Sequence, residues 1–398
     1  MIIFARIYQT RYLQNIQPTT FMHLFPSLEK QYTRDRMSAP DAQRLAEFIA
    51  WGPVVFQVSR LMLKFGILDL LRDHDGGMTR AELAEATKLS DYALKILLEG
   101  SLSIGTIKVD VKTDRYTLSK VGWFFLTDMA TRANTDFNHD VNYEGLFHLD
   151  EALTEGRPAG LKHFGDWPTV YEGLSSLPEQ VQKSWFGFDH FYSDSAFPDA
   201  LKLIFGDKEG EAGKVCKQTV KSLLDVGGNT GKWALQCVGY DKEVKVTIVD
   251  LPQQLEMMRR NVAGKEGADR ISGIGMNLLD PKEAFQSGQH YDVIWMSQFL
   301  DCFSMEQIVS ILKRVSQVMD KETRVCIMET LWDRQKYETA AMCLTMTSVY
   351  FADIANGNSK MYNTEDMTAC VEAAGLEVET IHDEVGQQGH CILVCKLP

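Results

Sequence analysis

The sequence predicts an α/β chain: a doubly wound, Rossmann-like sheet ending in an antiparallel C-terminal hairpin, preceded by a mainly helical N-terminal domain of winged-helix type. Three observations predict it. From Ser222 onward the strand-like runs "SLLDVGG", "VKVTIVDLP", "YDVIWMS" and "TRVCIMET" alternate with helix-length segments, which specifies parallel strands joined by crossover helices. The last strand-like runs, "LEVETIHDE" and "HCILVCKLP", are joined by the Gly-rich "VGQQG", which suits a hairpin at the sheet edge. Over residues 41–105 the apolar spacing is helical, and one small hairpin follows.

Length and charge bound the function. A chain of 398 residues with 45% hydrophobic residues can hold two domains or one large one. The net charge of -13 and pI near 5.2 argue against a sequence-independent grip on nucleic acid. All eight cysteines lie between Cys216 and Cys395 without a CxxC pair or zinc spacing. They read as thiols of a reducing cytoplasm, and no metal site is expected. Neither a membrane span nor a signal peptide is expected, so the predicted location is cytoplasmic.

Residues 1–36 carry basic and aromatic residues without periodicity, and "MSAP" at Met37 resembles a fresh start. A poorly ordered extension, an upstream start or a cleaved transit peptide all fit. The run from Gln57 to Gly76 has helical spacing, Thr79 with Glu82 forms a capping box, and Ser90 caps a helix ending at Gly105. "TIKVDVK" and "RYTLSK" then pair through a Thr113-Asp114 turn. Helices plus hairpin suggest a DNA reader, but Asp69 to Gly122 carries one more acid than base and "DYALKILLEG" offers a single Lys. A dimerisation module is the better reading. Residues 140–205 are helical and rich in aromatics, among them Phe147, Trp167, Tyr171, Trp185, Phe186, Phe188, Phe191 and Tyr192. Core packing is expected for most, with Phe186 and His190 of "FGFDHFY" also candidates for lining a pocket for a flat substrate.

The chemistry concentrates in "LLDVGGNTGKWAL", which sets Gly227, Gly228 and Gly231 on the turn leaving a strand. Such glycines let the backbone approach a ligand while the next helix aims its N-terminus at it. Asp250 closes the following strand and can accept hydrogen bonds from both ribose hydroxyls of an adenosine. NAD binding fits these two features as well. The turn lacks strict GxGxxG spacing, however, and Asp225 precedes the glycines, where it would repel a pyrophosphate and favour a sulfonium and an ammonium.

"LLDVGGNTG", "VDLPQQL", "FLDCFSMEQIVSIL", "IMET" and "VEAAGL" stand in the order and rough spacing of the S-adenosylmethionine-dependent O-methyltransferases of plants and bacteria, and the chain resembles that family over about residues 45–398. The resemblance implies S-adenosyl-L-methionine as cofactor, a small-molecule acceptor, and a homodimer formed through the N-terminal domain. It implies cofactor contacts at Asp225, Gly227, Gly228, Gly231, Asp250, Leu251, Asn277, Leu278 and Ser297, and an acceptor pocket touching Phe186, His190 and Tyr350. The expected divisions are an extension over 1–40, a winged-helix dimerisation domain over 41–130, a helical connector lining the pocket over 131–210 and a cofactor-binding domain over 211–398.

One position departs from the family. Where its pattern has a general-base His, this chain has Asp301. The supporting carboxylate is retained as Glu329, while the family's second Glu and its Arg stand as Met361 and Tyr362. Full proton transfer from a phenol to a His is uphill by roughly 3.5 pKa units, about 5 kcal/mol, and to an Asp by roughly 6 units, about 8 kcal/mol. Burial beside Glu329 narrows that gap. Methylation of oxygen on an aromatic or polyketide-like acceptor is expected, with carbon or nitrogen as alternatives. Asp301 or Ser304 as an N-cap, a cofactor-binding homologue without transferase activity, a nicotinamide oxidoreductase and a DNA-binding regulator are the competing readings.

Overall fold

The computed structural model describes residues 24–207, 212–216, 218–286 and 288–398, with the side chains of His190, Ser193 and Asp194 outside the described set. The chain divides into two compact units. One holds Arg34–Tyr143 and Leu177–Phe191; the other holds Glu144–Ser176 and Tyr192–Pro398 with the described residues up to Thr33.

In the first unit the capping box at Thr79 forms. Thr79 Oγ1 accepts from Glu82 N at 3.3 Å, and Glu82 Oε2 accepts from Thr79 N at 2.7 Å, so two otherwise orphaned donors start the helix Arg80–Thr87. Ser90 caps the helix Asp91–Ile104, which stops at Gly105 with φ of 91°. Three short strands, β1 (Met78–Thr79), β2 (Ile107–Asp110) and β3 (Arg115–Leu118), form an antiparallel sheet in the order β1-β3-β2. Leu68, Leu83, Leu94 and Leu98 pack the centre. The run from Gln57 to Gly76 is not one helix: Gly66, at φ of 69°, separates Gly52–Lys64 from Ile67–Asp73, a conformation that glycine adopts without Cβ strain.

The second unit is built on seven further strands: β4 (Ser222–Val226), β5 (Lys245–Asp250), β6 (Ile271–Gly275), β7 (Val293–Ser297), β8 (Arg324–Glu329), β9 (Glu377–Val385) and β10 (His390–Lys396). Their order is β6-β5-β4-β7-β8-β10-β9, with β10 antiparallel to both of its neighbours, β8 and β9, and the other pairs parallel. Side chains alternate between two cores, Leu224, Ile294 and Ile327 on one face and Leu223, Val293, Trp295 and Met328 on the other. Burial on both faces is what a parallel sheet between helical layers demands. Chain order reverses across β4, and at such a switch point the carboxyl ends of the strands open a ligand crevice. Asp250, Ser297 and Glu329 end β5, β7 and β8 on that edge.

Four expectations change. A fifth parallel strand, β6, lies at the sheet edge, where "ISGIG" needs little apolar content. The expected 1–40 extension contains a helix, Pro26–Tyr32, whose Leu28 is fully buried and whose Ser27 Oγ donates to Lys336 O at 2.8 Å; residues 1–23 lie outside the described residues. The 131–210 connector is split between the two units. The aromatics there are not core: Phe147 is 90% exposed, and none of the eight is buried.

His390, at the start of β10, is fully buried, and burial depresses its imidazole from 6.5 to about 4. The neutral ring is the folded form, so the unfolded chain takes up a proton first as the pH falls below 6.5, and stability is lost down to about pH 4. Denaturant unfolding at about pH 7 and pH 5 should show wild type losing about 2 kcal/mol more than His390→Leu. Equal losses would place the buried ring outside the acid response.

Candidate active site

The turn after β4 is shaped by its glycines. Gly227 has φ of 74° and Gly231 has φ of 77°, and Gly227 N donates to Val249 O at 2.9 Å. A Cβ on Gly227 would lie 2.3 Å from the Phe299 ring, and one on Gly228 would lie 2.5 Å from Asp225 Oδ2. Side chains are excluded on steric grounds. Beyond Gly231 the helix Lys232–Tyr240 begins, its N-terminus at the turn.

Two carboxylates flank this turn. Asp225 is 3% exposed, and its Oδ2 meets no hydrogen-bond donor among the described residues. Burial first, and then the charge of Asp250, raise its carboxyl from 3.8 to about 8. A bound cation would reverse that penalty. Asp250 accepts from Asn229 N at 2.9 Å and from Leu251 N at 2.7 Å; burial raises its pKa and these two amides work against the rise. Its oxygens are thereby fixed at the mouth of the glycine turn. Leu251 is partly exposed, as a residue facing a ligand can be, whereas Leu278 is packed into the core. Asn277 is exposed, and its Oδ1 accepts from Leu279 N at 2.9 Å. This fold fits an adenosine cofactor with a positively charged tail: a bare backbone cradle, an acid fixed at the next strand end and a buried carboxyl with one oxygen lacking a donor among the described residues.

Past β7, Gln298 takes φ of 45° and turns the chain into the short 3₁₀ segment Leu300–Cys302. Asp301 lies there, 9% exposed, with the Cys302 thiol donating to its Oδ1 at 3.5 Å. Glu329 Oε1 accepts from Phe299 N at 3.2 Å and Leu300 N at 3.0 Å, so the end of β8 holds the turn that carries Asp301. Glu329 is 2% exposed, and burial, followed by the charge of Asp301, pushes its carboxyl well above the usual range. The capping alternative resolves in favour of Ser304: its Oγ accepts from Gln307 N at 3.3 Å and Gln307 Oε1 accepts from Ser304 N at 2.9 Å. Asp301 is therefore not the cap of the helix Met305–Val315.

The expected acceptor-pocket residues divide between the units. Tyr350, nearly buried, belongs with Asp301, while Phe186 and His190 belong to the other unit. Phe186 is 38% exposed and packs edge-on against Trp185; the His190 side chain lies outside the described residues. Sequence reading missed two groups beside Asp301. Cys302 sits one residue along, and Tyr171, treated as core, keeps 37% of its surface exposed while its hydroxyl bonds the Cys302 thiol. Burial, then Cys302, Tyr350 and Asp301, raise the Tyr171 phenol well above 10. A lone Tyr before "EGL" carries no local signal of this. Among the described residues no cluster of His, Cys, Asp or Glu could hold a metal ion, and no helix is long and apolar enough to cross a membrane.

Fold and site together define an α/β enzyme of the adenosine-cofactor class. Residues 43–116 match a Dimerisation2-like domain and residues 189–381 a methyltransferase domain. L-tyrosine C(3)-methyltransferase of Streptomyces lavendulae is 22% identical over 360 residues, covering 89% of this chain and 92% of that one. Scoulerine-9-O-methyltransferase 3 of Papaver somniferum is 22% identical over 329 residues, covering 80% and 86%. Among solved structures, the apo S-adenosylmethionine-dependent methyltransferase SibL superposes with a TM-score of 0.64 at 21% identity, covering 88% of this chain and 98% of that one; at that identity the likeness establishes the fold. The chain is similar to the S-adenosylmethionine-dependent O-methyltransferases with an N-terminal dimerisation domain, and is an S-adenosylmethionine-dependent methyltransferase that acts on small molecules.

Proposed function

We propose that the protein methylates a small acceptor bearing an aromatic hydroxyl, that oxygen is the atom methylated, and that Asp301 receives the hydroxyl's proton. The observation that carries this reading is the buried pair Asp301 and Glu329 on the same sheet edge as the glycine turn and Asp250. S-adenosylmethionine supplies an electrophilic methyl group when bound. Gly227, Gly228 and Gly231 leave room for its backbone-side approach, Asp225 faces its cationic end, and Asp250 accepts from its ribose hydroxyls. Leu251, Asn277 and Ser297 complete the contacts, while Leu278 supports them from the core. Tyr350 is assigned to the acceptor.

The proton balance follows from the pair. Two adjacent buried carboxyls do not both ionise easily, and the elevated pKa of Glu329 leaves it holding the shared proton. Asp301 is then the charged member, the one able to take the hydroxyl's proton. Transfer itself is an in-line displacement that depends on placing nucleophile and methyl in near contact.

A second reading, methylation of the ring carbon ortho to the hydroxyl, is favoured by Asp301 standing where the family has His and by the name of the Streptomyces relative. A carboxylate that holds the hydroxyl by a hydrogen bond leaves electron density for the ring carbon. Mass spectrometry of products from a panel of phenols, enols and amines with methyl-labelled cofactor separates the readings. Label on phenol oxygen is expected; label on a ring carbon would support the second reading. Cofactor binding with no product across the panel would overturn both and favour a homologue without transferase activity.

The N-terminal unit fits a homodimerisation module, since Phe48, Ile49 and Val54 on two consecutive helices and Trp51 at their junction are all exposed.

A further inference from the structure

The turn carrying Asp301 is also held by side chains of the segment around residues 356–362. Tyr362 Oη donates to Phe303 O at 2.6 Å, and Asn356 Nδ2 donates to Cys302 O at 2.8 Å. Neither donor is loose. Tyr362 is 4% exposed. Asn356 Oδ1 accepts from Asn358 N at 3.0 Å and Ser359 N at 3.1 Å, and its Nδ2 reaches Ser359 Oγ at 2.8 Å. These residues occupy the loop where the family resemblance sets Met361 and Tyr362 in place of a Glu and an Arg. Met361 is buried and brings no charge. A charged support for a base has thus given way to uncharged hydrogen bonds on the backbone of the turn itself.

We propose that Tyr362, seconded by Asn356, is a positioning residue that fixes the Asp301 carboxylate for the acceptor by holding the carbonyls of Phe303 and Cys302. This inference rests on the reading of Asp301 as proton acceptor. Each carbonyl lies one or two residues beyond Asp301, so a shift there is transmitted to the carboxylate through two peptide units at most. A misplacement of about 1 Å can cost on the order of 100-fold in rate.

Glu329 is faced by Asp301, with Cys302 and Tyr171 beyond it, while Tyr362 is faced by Cys370, Asp366, Asp301 and Glu306. Freeing the turn would admit water to the Asp301 and Glu329 pair. The penalty on placing the first negative charge in the pair would then fall.

Tyr362→Phe, which keeps the ring and removes only the donor, is the test. The expected result is a kcat lowered by about 10-fold or more, an unchanged cofactor KM, and an acid limb of the pH profile displaced to lower pH. A kcat within about twofold of wild type, or a lower kcat with the acid limb unmoved, would overturn the proposal. Should Tyr362→Phe also lose cofactor affinity through misfolding, Asn356→Ala decides on the same kcat and acid-limb criteria. If Asp301→Asn turns over at the wild-type rate, the reading of Asp301 itself fails; if Asp301→Asn is impaired while both clamp variants behave as wild type, only the positioning role fails.

Discussion

Asp301→Asn is expected to slow methyl transfer by about 100-fold or more, the usual cost of removing a positioned proton acceptor, while cofactor affinity stays at the wild-type value. Asn preserves the shape of the side chain and leaves the amides of Phe299 and Leu300 on Glu329 Oε1. It cannot take a proton. The charge of Asp301 contributes to the elevated pKa of Glu329, so the substitution also lets Glu329 ionise at lower pH. Asp301→His works in the other direction. An imidazole titrates roughly 2.5 units closer to a phenol than an unperturbed Asp does, which narrows the proton-transfer gap by about 3 kcal/mol. O-methylation of a simple phenol should therefore rise, as measured by initial rates at saturating cofactor.

Asp250→Ala is expected to weaken cofactor binding by about 100-fold or more, measured by calorimetry. Hydrogen bonds to a charged group contribute about 1.5–3 kcal/mol each, and the ribose offers two hydroxyls to this one carboxylate. The loss has a second source. Asp250 Oδ2 anchors Asn229 N and Oδ1 anchors Leu251 N, so alanine also releases the tip of the glycine turn, where Asn229 is held at φ of 47°. Asp250→Asn keeps one acceptor oxygen and should fall between the two. Unchanged affinity in Asp250→Ala would remove the acid from the cofactor site.

What the sequence made legible was local. The strands β4, β5, β7 and β8 are dense in Val, Ile and Leu because both of their faces are buried, and they stand out as apolar runs. The edge strand β6 has only two isoleucines among Ser and Gly, so it gave no such run. Capping signals at Thr79 and Ser90 were readable because donor and acceptor are three residues apart. Asp225, Asp250, Asp301 and Glu329 were visible for a related reason: each sits at or just beyond a strand end, and parallel topology brings those ends to one edge. What stayed hidden depends on contacts across long stretches of chain. Tyr171 reaches Cys302 over more than a hundred residues, and Tyr362 reaches Phe303 over 59. The break at Gly66 and the docking of Leu28 are also tertiary matters, since neither changes the apolar spacing around it.

The most direct measurement is single-turnover transfer of labelled methyl from preloaded cofactor to a phenolic acceptor, wild type beside Asp301→Asn, with cofactor affinity determined on the same preparations. The predicted result is equal affinity and transfer slowed about 100-fold in the variant; equal affinity with equal transfer rates would contradict the assignment of Asp301 as the group that receives the proton.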